Sequence, residues 1–240
     1  MEEIKVNGIV IETIDYKDND KLLSLFTVEL GKITVKIRGV KSAKSKLRSC
    51  AQLFAFGEWE LVKSKEYFTV KTVNLVDSFY DITYTYTRYI VALSLVEICN
   101  HILRPNMIAE SLFIALIKSM QTLAYEDRVN ERYVFIKFNL MLLSMSGYAL
   151  NFDSCDICGM KYMGALRFDT HYHHITCKNC SMGIDMSSQE LATLRVFDST
   201  DIDRLSTIKV DPAVLTNIIN ILILNIENIL STKLKSIAKK

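Results

Sequence analysis

Residues 31–39, GKITVKIRG, carry the clearest fold signal in the chain. Ile33, Val35 and Ile37 alternate there with lysine, threonine and arginine residues. Side chains at a period of two lie on opposite faces of a β-strand, so the aliphatic residues are expected on a buried face and the cations on the other. The stretch therefore predicts one strand of a small β-domain.

Similar strands are expected around it, separated by turn-forming residues. The expected strands are Ile4–Ile14, Leu22–Val28, Phe56–Lys63 and Tyr67–Val76. Turns are expected at residues 18–20, 29–31 and 64–66. Five short strands in about 80 residues are typical of a small closed barrel. The five-stranded OB-fold is favoured, and an SH3-like barrel would give much the same pattern.

A longer hydrophobic period after residue 80 predicts helices. Those with broad apolar faces are Tyr84–Leu103, Ile108–Tyr125 and Glu131–Ser146. Ser187 and Glu190 have the spacing of a capping box that opens a helix, and Asp211-Pro212 opens the last one. The predicted fold class is α+β, with an OB-fold β-barrel at residues 1–80 and an α-helical domain at 81–240 that contains a cysteine-rich insert at about 151–185.

Overall composition bounds the kind of protein. Half of the 240 residues are hydrophobic, which excludes a generally disordered chain. The start, MEEIKVNG, has no apolar run and predicts no secretory signal. Residues 213–230 are the most apolar, but their longest unbroken apolar run is Ile221–Leu224, whereas a membrane span needs about 20 residues. The sequence predicts a soluble cytoplasmic protein.

Positive charge is concentrated in one place. The whole chain has 29 basic and 27 acidic residues, yet residues 32–48 contain cations and no acid. These cations are Lys32, Lys36, Arg38, Lys41, Lys44, Lys46 and Arg48. Further lysines near the end of the chain are Lys233, Lys235, Lys239 and Lys240. Such a concentration on a nearly balanced chain predicts a polyanionic partner, either nucleic acid or an anionic membrane surface.

A run of like charge is often only a solvated loop, but three features favour a binding surface here. No acid interleaves to form ion pairs, Lys36 and Arg38 share a strand face, and residues 39–46 are rich in small side chains. On a small barrel, a basic face beside such a loop is typical of a groove for single-stranded nucleic acid. For the neighbouring aromatics, core or interdomain packing is expected rather than base stacking; they are Phe54, Phe56, Trp59, Tyr80, Tyr84, Tyr86 and Tyr89.

Four of the six cysteines form two close pairs. Cys155 and Cys158 make one CxxC, and Cys177 and Cys180 make the second after a gap of 18 residues. That spacing is typical of a four-thiolate zinc site, in which each CxxC offers two thiolates from one tight turn. Four thiolates fill the tetrahedral coordination of one zinc ion, so the ion is expected to be structural. Iron–sulfur and thioredoxin-like motifs fit the spacing and context less well.

Other reactive residues give weaker signals. His171, His173 and His174 lie between the cysteine pairs, where solvent-facing hairpin positions are expected. Cys50 and Cys99 are expected to be ordinary buried thiols. Asp15, Asp18 and Asp20 resemble an acidic metal-binding string but lack the glycine and distal glutamate of a calcium loop, so they are expected to form the turn before the second strand. No phosphate-binding glycine loop, nucleophile elbow or HExxH occurs, and the sequence predicts no enzyme.

Taken together, the motifs resemble the bacterial RecO family of DNA repair and recombination proteins. The matching residues are Gly31-Lys32, Arg38-Gly39 and Lys44-Ser45, with GYALNFDSCDICG at 147–159 as the lead-in to the cysteine pairs. Two departures concern the loops near the cysteines: the chain has HYHHITC where the family often has a glycine-containing approach, and a proline common before the first pair is missing.

The resemblance implies a non-enzymatic recombination mediator. RecO-like proteins bind single- and double-stranded DNA, anneal complementary strands, and work with RecR and RecF. They help to load RecA onto DNA coated by single-strand binding protein, whose C-terminal tail they contact. Carried over by position, Lys32, Arg38 and Lys44 are the expected phosphate contacts, and the remaining four cations join them from their charge alone.

Three other functions stay open at this stage. The main alternative is a zinc-containing RNA- or ribosome-associated protein that uses the same basic barrel. A zinc hydrolase that uses the three histidines and a scaffold that binds only proteins are further alternatives. The sequence leaves open the surface for RecR, the pocket for the tail of single-strand binding protein, and the oligomeric state.

Overall fold

A computed structural model describes residues 3–42, 44–63 and 68–238. Contacts within the chain define two compact units, residues 1–120 and 121–240. The change from strands to helices occurs near residue 80, as the sequence indicates. The division into domains at residues 1–80 and 81–240 stays a prediction. The expected turn at 64–66, Tyr67, Lys239 and Lys240 lie outside the described residues.

The first unit begins with a closed barrel of five strands. Its strands are β1 (Glu3–Tyr16), β2 (Asp20–Thr27), β3 (Gly31–Ile37), β4 (Phe56–Lys63) and β5 (Phe68–Asp77). Their order around the barrel is β1-β2-β3-β5-β4, and β1 pairs with β4 to close it. The short β3–β5 pairing is parallel, and the other pairs are antiparallel. The barrel is the predicted OB-fold.

The interior of the barrel follows the alternating pattern of its strands. Ile33, Val35 and Ile37 of β3 are all buried, which confirms the side assigned to the aliphatic residues. Trp59 of β4 is fully buried, and its Nε1 donates a hydrogen bond of 3.0 Å to the carbonyl of Gly8. This bond satisfies the polar atom of the indole inside an apolar core.

Helices follow the barrel in the same unit. A short 3-10 helix covers Tyr80–Tyr84, and then come α1 (Tyr86–Ile102) and α2 (Glu110–Tyr125), whose last turn belongs to the second unit. Gly31 has a positive φ of 66°, and a Cβ there would lie 2.0 Å from the carbonyl oxygen of Met107. Glycine is therefore required where the chain turns into β3 close to the backbone that precedes α2.

The second unit combines helices with a small sheet. Its elements are α3 (Glu131–Met145), β6 (Leu166–Asp169), β7 (His174–Cys177), β8 (Ile184–Met186), α4 (Ser188–Ser199), a 3-10 helix (Ile202–Thr207), α5 (Pro212–Leu230) and α6 (Lys235–Ala238). The sheet has the order β7-β6-β8 and is antiparallel. The capping box of Ser187 and Glu190 opens α4, and Asp211 caps α5. Both helix starts were predicted; the three-stranded sheet was not.

Helix α5 is long and apolar enough to cross a membrane if only length and composition are considered, and 39% of its most apolar window is buried. Its buried residues, Val214, Leu215, Ile218, Ile221, Leu222, Asn225 and Ile226, recur at helical spacing. Asn217, Asn220 and Asn228 lie on the exposed side. One-sided burial of this kind is typical of an amphipathic helix packed against a core.

Candidate functional sites

The basic segment, residues 32–48, consists of β3 and the loop that follows it. Its seven cations do not share one environment. Lys32 and Lys36 lie in the strand, and Lys36 is only 7% exposed. Arg38, Lys44, Lys46 and Arg48 are exposed on the loop. The alternation of β3 therefore places its aliphatic residues correctly but does not expose its lysines.

Lys32 is engaged with the end of a helix. Its Nζ donates a 2.6 Å hydrogen bond to the carbonyl of Asn100 in the last turn of α1. Carbonyls at the C-terminal end of a helix have no partner within the helix and carry partial negative charge, so an ammonium group stabilises them. Partial burial lowers the pKa of Lys32 from its ordinary value. Lys32 thus fastens α1 to the barrel.

Lys36 is part of a nearly buried ion pair. Its Nζ lies 3.0 Å from Oδ2 of Asp20 at the start of β2 and 4.9 Å from the centre of the Tyr16 ring. Asp20 also accepts a 2.9 Å hydrogen bond from the backbone N–H of Gly39. This hydrogen bond, together with Lys36, lowers the pKa of the Asp20 carboxyl. The arrangement closes the end of the β2–β3 hairpin.

Lys41 is paired with a second acid, Asp15, near the end of β1. Its Nζ lies 3.0 Å from Oδ2 of Asp15, and it also donates to the carbonyl of Lys17 at 3.4 Å. The side chain of Asp15 is 70% exposed and that of Lys41 is 28% exposed. Such a pair at the surface is weak, because water screens it and two side chains must be ordered.

The sequence did not reveal these two acidic partners. Asp15 and Asp20 were expected in the turn before the second strand, but Asp15 belongs to β1 and Asp20 begins β2, on either side of the turn at residues 17–19. The register of the barrel strands explains why these acids and lysines meet. Asp15 is opposite Lys21, and Lys21 is opposite Ile37. The β1–β2 turn and the basic loop therefore lie at the same end of adjacent strands. Acids beside that turn therefore reach lysines 16 to 26 residues later.

Four cations of the segment lie exposed on the loop. Within the described residues, no ion pair is formed by the loop residues Lys44, Lys46 and Arg48 or by Arg38. Arg38 contributes to the field at Asp20 without contacting it as an ion pair. Exposed, unpaired cations keep their attraction for external anions, since no internal acid neutralises them.

The aromatic residues near this segment differ from one another. Phe54 and Trp59 are buried, and Phe54 packs edge-on against Tyr89 with ring centres 6.0 Å apart. These residues pack in the core, as expected. Tyr80, Tyr84 and Tyr86 are instead 61%, 74% and 67% exposed, although the rings of Tyr80 and Tyr84 pack edge-on with their centres 5.4 Å apart.

The four cysteines of the two CxxC pairs come together in the second unit. Their sulfur atoms all lie within 4.8 Å of one another. The Sγ atoms of Cys158 and Cys177 are 3.8 Å apart, and those of Cys177 and Cys180 are 3.3 Å apart. A tetrahedral ion with metal–sulfur distances of about 2.3 Å requires sulfurs about 3.8 Å apart. The cluster therefore fits one tetrahedral metal ion with four thiolate ligands.

Local backbone structure forms the two turns that carry the cysteines. In the first, the N–H of Gly159 donates to the carbonyl of Cys155 at 2.8 Å, and Gly159 has a positive φ of 71°. In the second, the N–H of Cys180 donates to the carbonyl of Cys177 at 3.0 Å. Tyr162 links the first turn to β7 because its hydroxyl donates to the carbonyl of Ile175 at 2.9 Å and also lies 3.2 Å from the carbonyl of Asn151.

The environment of the cluster favours thiolate at Cys155. Burial opposes ionisation of this thiol, but hydrogen bonds from the backbone N–H groups of Cys158, Cys177 and Ile157 outweigh it and lower the pKa of Cys155 to about 6. The pKa of Cys180 is raised, first by its hydrogen bonds with Cys177 and Cys158 and also by repulsion from the Cys155 thiolate. Metal binding displaces the thiol protons. The charge of a divalent cation would then offset the repulsion between the thiolates.

The histidines between the cysteine pairs do not join the cluster. Within the described ranges, the group of side chains close enough to hold one metal ion contains only cysteines. His171 is exposed in the β6–β7 turn, as expected, but His173 and His174 are half-buried. His173 hydrogen-bonds through Nδ1 to Oδ1 of Asn225 at 2.7 Å, and Nδ1 of His174 lies 4.0 Å from Oδ2 of Asp156. Cys50 and Cys99 are both buried, as expected. A hydrolytic site built on these histidines gains no support from their positions.

The chain begins with an OB-fold barrel that has an exposed basic loop. A helical unit with a four-cysteine cluster follows it in the sequence. This combination defines a narrow class of proteins. Two family models match this chain, and together they span nearly all of it. "Recombination protein O N terminal" matches residues 1–79, and "Recombination protein O C terminal" matches residues 83–238.

Curated relatives agree with these matches. DNA repair protein RecO of Clostridium novyi is 30% identical over 240 residues, covering 97% of this chain and 91% of the relative. The RecO protein of Acetivibrio thermocellus is 30% identical over 180 residues, covering 75% and 71%. That of Clostridium perfringens is 27% identical over 241 residues, covering 98% and 96%. The chain belongs to the RecO family, which supports a role in DNA repair and recombination and confirms the resemblance seen in the motifs.

Proposed function

We propose that this protein is a non-enzymatic recombination mediator that holds DNA strands by their phosphates and anneals complementary single strands. The observation that carries the proposal is the exposed half of the basic segment. Arg38, Lys44, Lys46 and Arg48 lie on a loop at one end of the OB-fold barrel, and no acid among the described residues pairs with them. We call these four residues the loop cations.

The loop cations can act on two strands because their side chains are exposed and form no ion pair among the described residues. Annealing brings two polyanions together, and their repulsion opposes the encounter. An exposed cationic loop neutralises phosphates of both strands and releases their counterions without gripping the bases. The bases therefore stay free to pair.

The seven predicted DNA contacts are assigned to three roles in this proposal. The loop cations make the principal phosphate contacts. Lys41 joins them when it is released from Asp15. Lys32 and Lys36 contribute through the fold, since each is already held by a group of the barrel or of α1.

The test is a fluorescence strand-annealing assay of the double variant Lys44→Glu, Lys46→Glu. We expect the annealing rate to fall at least about tenfold, because electrostatic attraction sets the rate of encounter between charged partners. Both side chains are exposed, so the melting temperature should not change. Annealing at the rate of the unmodified protein by a folded variant would refute the proposal.

A matched control separates position from net charge. Lys118 and Lys209 are exposed outside the basic segment, and changing both to glutamate alters the net charge by the same amount. This control should anneal DNA nearly as well as the unmodified protein. Competition between DNA and RNA strands of equal length addresses the RNA-binding alternative, because preference for RNA would favour it.

We further propose that the cysteine cluster binds one structural Zn²⁺ ion through Cys155, Cys158, Cys177 and Cys180. The four sulfurs fill a tetrahedral coordination shell, which leaves no open position for water or substrate. Zinc would then join the two CxxC turns and stabilise the small sheet, in which Cys177 is the last residue of β7. The proposal of a non-enzymatic role agrees with this closed ligand set.

The proposed partners follow from the family. We propose that the protein works in the cytoplasm, on the nucleoid, with RecR and with RecF and RecA, and that it contacts the C-terminal tail of single-strand binding protein. Capture of each purified partner by the immobilised protein, with and without DNA, would test these interactions one at a time.

A further inference from the structure

Beside the basic loop, the barrel has a small cavity that brings two of the proposed DNA contacts, Lys41 and Arg48, together with Lys21, which is not among them. Its volume is about 290 Å³, at the lower end of the range for ligand pockets. It is lined by Asp15, Lys21, Val40, Lys41, Arg48, Ala51 and Gln52. Three of these side chains are cationic and one is acidic, so the cavity has a surplus of positive charge.

The cavity has a rigid floor and polar walls. Val40 and Ala51 are 2% and 1% exposed and belong to the core of the barrel. The N–H of Lys41 donates to the carbonyl of Asn19, which ties the loop to the β1–β2 turn. Cations on such a base are better oriented than cations on a free loop, because the backbone beneath them is fixed by packing.

Lys21 is the residue that sequence reasoning missed. It lies in β2, outside the basic segment, opposite Asp15 in β1. Among the described residues it forms no ion pair, so its charge faces the cavity without a neutralising partner. Arg48 contributes a guanidinium from the other side, and such a group suits phosphate oxygens in particular.

Asp15 occupies the place that an external anion would take. Its carboxylate lies 3.0 Å from Nζ of Lys41 and is 70% exposed. A carboxylate so exposed can turn into solvent at little energetic expense, since surface ion pairs contribute at most about 1 kcal/mol. A phosphate that enters the cavity would replace it at Lys41.

We propose that this cavity binds one phosphodiester group of a nucleic-acid strand through Lys21, Lys41 and Arg48, and that Asp15 competes with it for Lys41. The inference rests on the proposed function, because it assumes that the protein binds DNA. It adds a defined phosphate position and an internal competitor to a surface otherwise described only by its charge.

The test is the affinity of Asp15→Asn for a fluorescent oligothymidylate at fixed ionic strength. Removal of the competitor should raise the affinity about two- to fivefold, the range that an exposed ion pair supports. Asp18→Asn is the matched control, since Asp18 is an exposed acid of the same turn. An equal rise in both variants would overturn the inference, because net charge alone would then explain it.

A second test measures the acylation of individual lysines in the unmodified protein by mass spectrometry, with and without DNA. Because it uses no variant, its result does not depend on whether a variant folds. DNA should protect Lys21 and Lys41 from acylation but leave Lys71, which pairs with Glu3 on another part of the barrel, unprotected. Equal protection of all three lysines would overturn the inference. Protection of Lys21 and Lys41 by inorganic phosphate alone would also overturn it, by showing a site for free phosphate.

The two proposals can fail separately. If the unmodified protein binds no oligonucleotide even at low salt, the proposed function fails and the inference fails with it. If the protein binds DNA but Asp15→Asn behaves as Asp18→Asn does, only the cavity inference fails.

Discussion

The four-cysteine cluster and the basic segment differ in how closely their members cooperate. All four sulfurs of the cluster lie within 4.8 Å of one another, so each has the same neighbours and would serve the same ion. The seven cations of the basic segment separate into residues held by the fold and residues exposed on a loop. A cluster that must surround one ion has a fixed geometry, whereas a run of like charge does not. The four cysteines therefore form one site, whereas the basic segment consists of two sets of residues with different roles.

The largest effect is expected from disrupting the cluster. Cys177→Ser should release the metal and lower the stability of the second unit by several kcal/mol, because binding of structural zinc is coupled to folding. Metal analysis should find about one zinc ion per unmodified chain and none tightly bound in the variant. Thermal melting with and without a chelator measures the effect on stability.

A control keeps this prediction specific. Cys50→Ala changes a buried cysteine outside the cluster and should leave the metal content at one ion per chain. Chelation should lower the melting temperature of the unmodified protein but not that of Cys177→Ser. An unmodified protein that melts at the same temperature with chelator would show that the cluster has no structural metal.

The two regions also differ in how far the sequence predicts them. The CxxC spacing identified all four members of the cluster because each pair is local and a single tight turn brings its sulfurs together. The OB-fold was predicted because the alternation of aliphatic and polar residues in GKITVKIRG indicates which side of a strand is buried. The pairing of Lys36 with Asp20, and of Lys41 with Asp15, depends on which strands are neighbours, so it appears only once the barrel is closed. The three-stranded sheet was missed because its strands have only three or four residues.

The second largest effect concerns the ion pair of Lys36 and Asp20. Asp20→Asn should destabilise the barrel by about 2 kcal/mol, because it leaves the lysine nearly buried without a counter-charge. Urea unfolding measures this change. Affinity for DNA, measured below the unfolding transition, should remain close to that of the unmodified protein. A clear rise in affinity with unchanged stability would show instead that Asp20 and DNA compete for Lys36, and would place Lys36 among the DNA contacts.

The same pair predicts a dependence on pH. The pKa of Asp20 is lowered in the folded protein, first by the N–H of Gly39 and then by Lys36. Its contribution to stability is therefore complete above the unfolded pKa of about 3.9 and is lost as the pH falls through the folded pKa. The difference in unfolding free energy between the unmodified protein and Asp20→Asn should be constant near neutral pH and shrink below about pH 4. A difference that stays constant into acid would contradict the role of the ionised carboxylate.

A smaller loss of stability is expected at Lys32. Lys32→Met keeps much of the aliphatic side chain but removes the hydrogen bond to Asn100 at the end of α1, which should cost about 1 kcal/mol. Filter binding should give nearly the same affinity for single-stranded DNA as the unmodified protein at each salt concentration. Loss of affinity without loss of stability would return Lys32 to the DNA-binding surface that its sequence position suggested.

The smallest expected change is in the slope of log affinity for DNA against log salt concentration. This measurement distinguishes the strand cations from the loop cations most directly. Each phosphate contact on single-stranded DNA contributes about 0.7 to the slope of log affinity against log salt. Lys44→Ala combined with Lys46→Ala should therefore reduce the steepness of that slope by about 1.4, since both side chains are exposed and available to phosphates. Lys32→Met should leave it unchanged, because its ammonium group is held by α1 in the free protein. If both variants reduced the slope equally, the strand and the loop would bind DNA as one surface, and the distinction between structural and binding cations would be wrong.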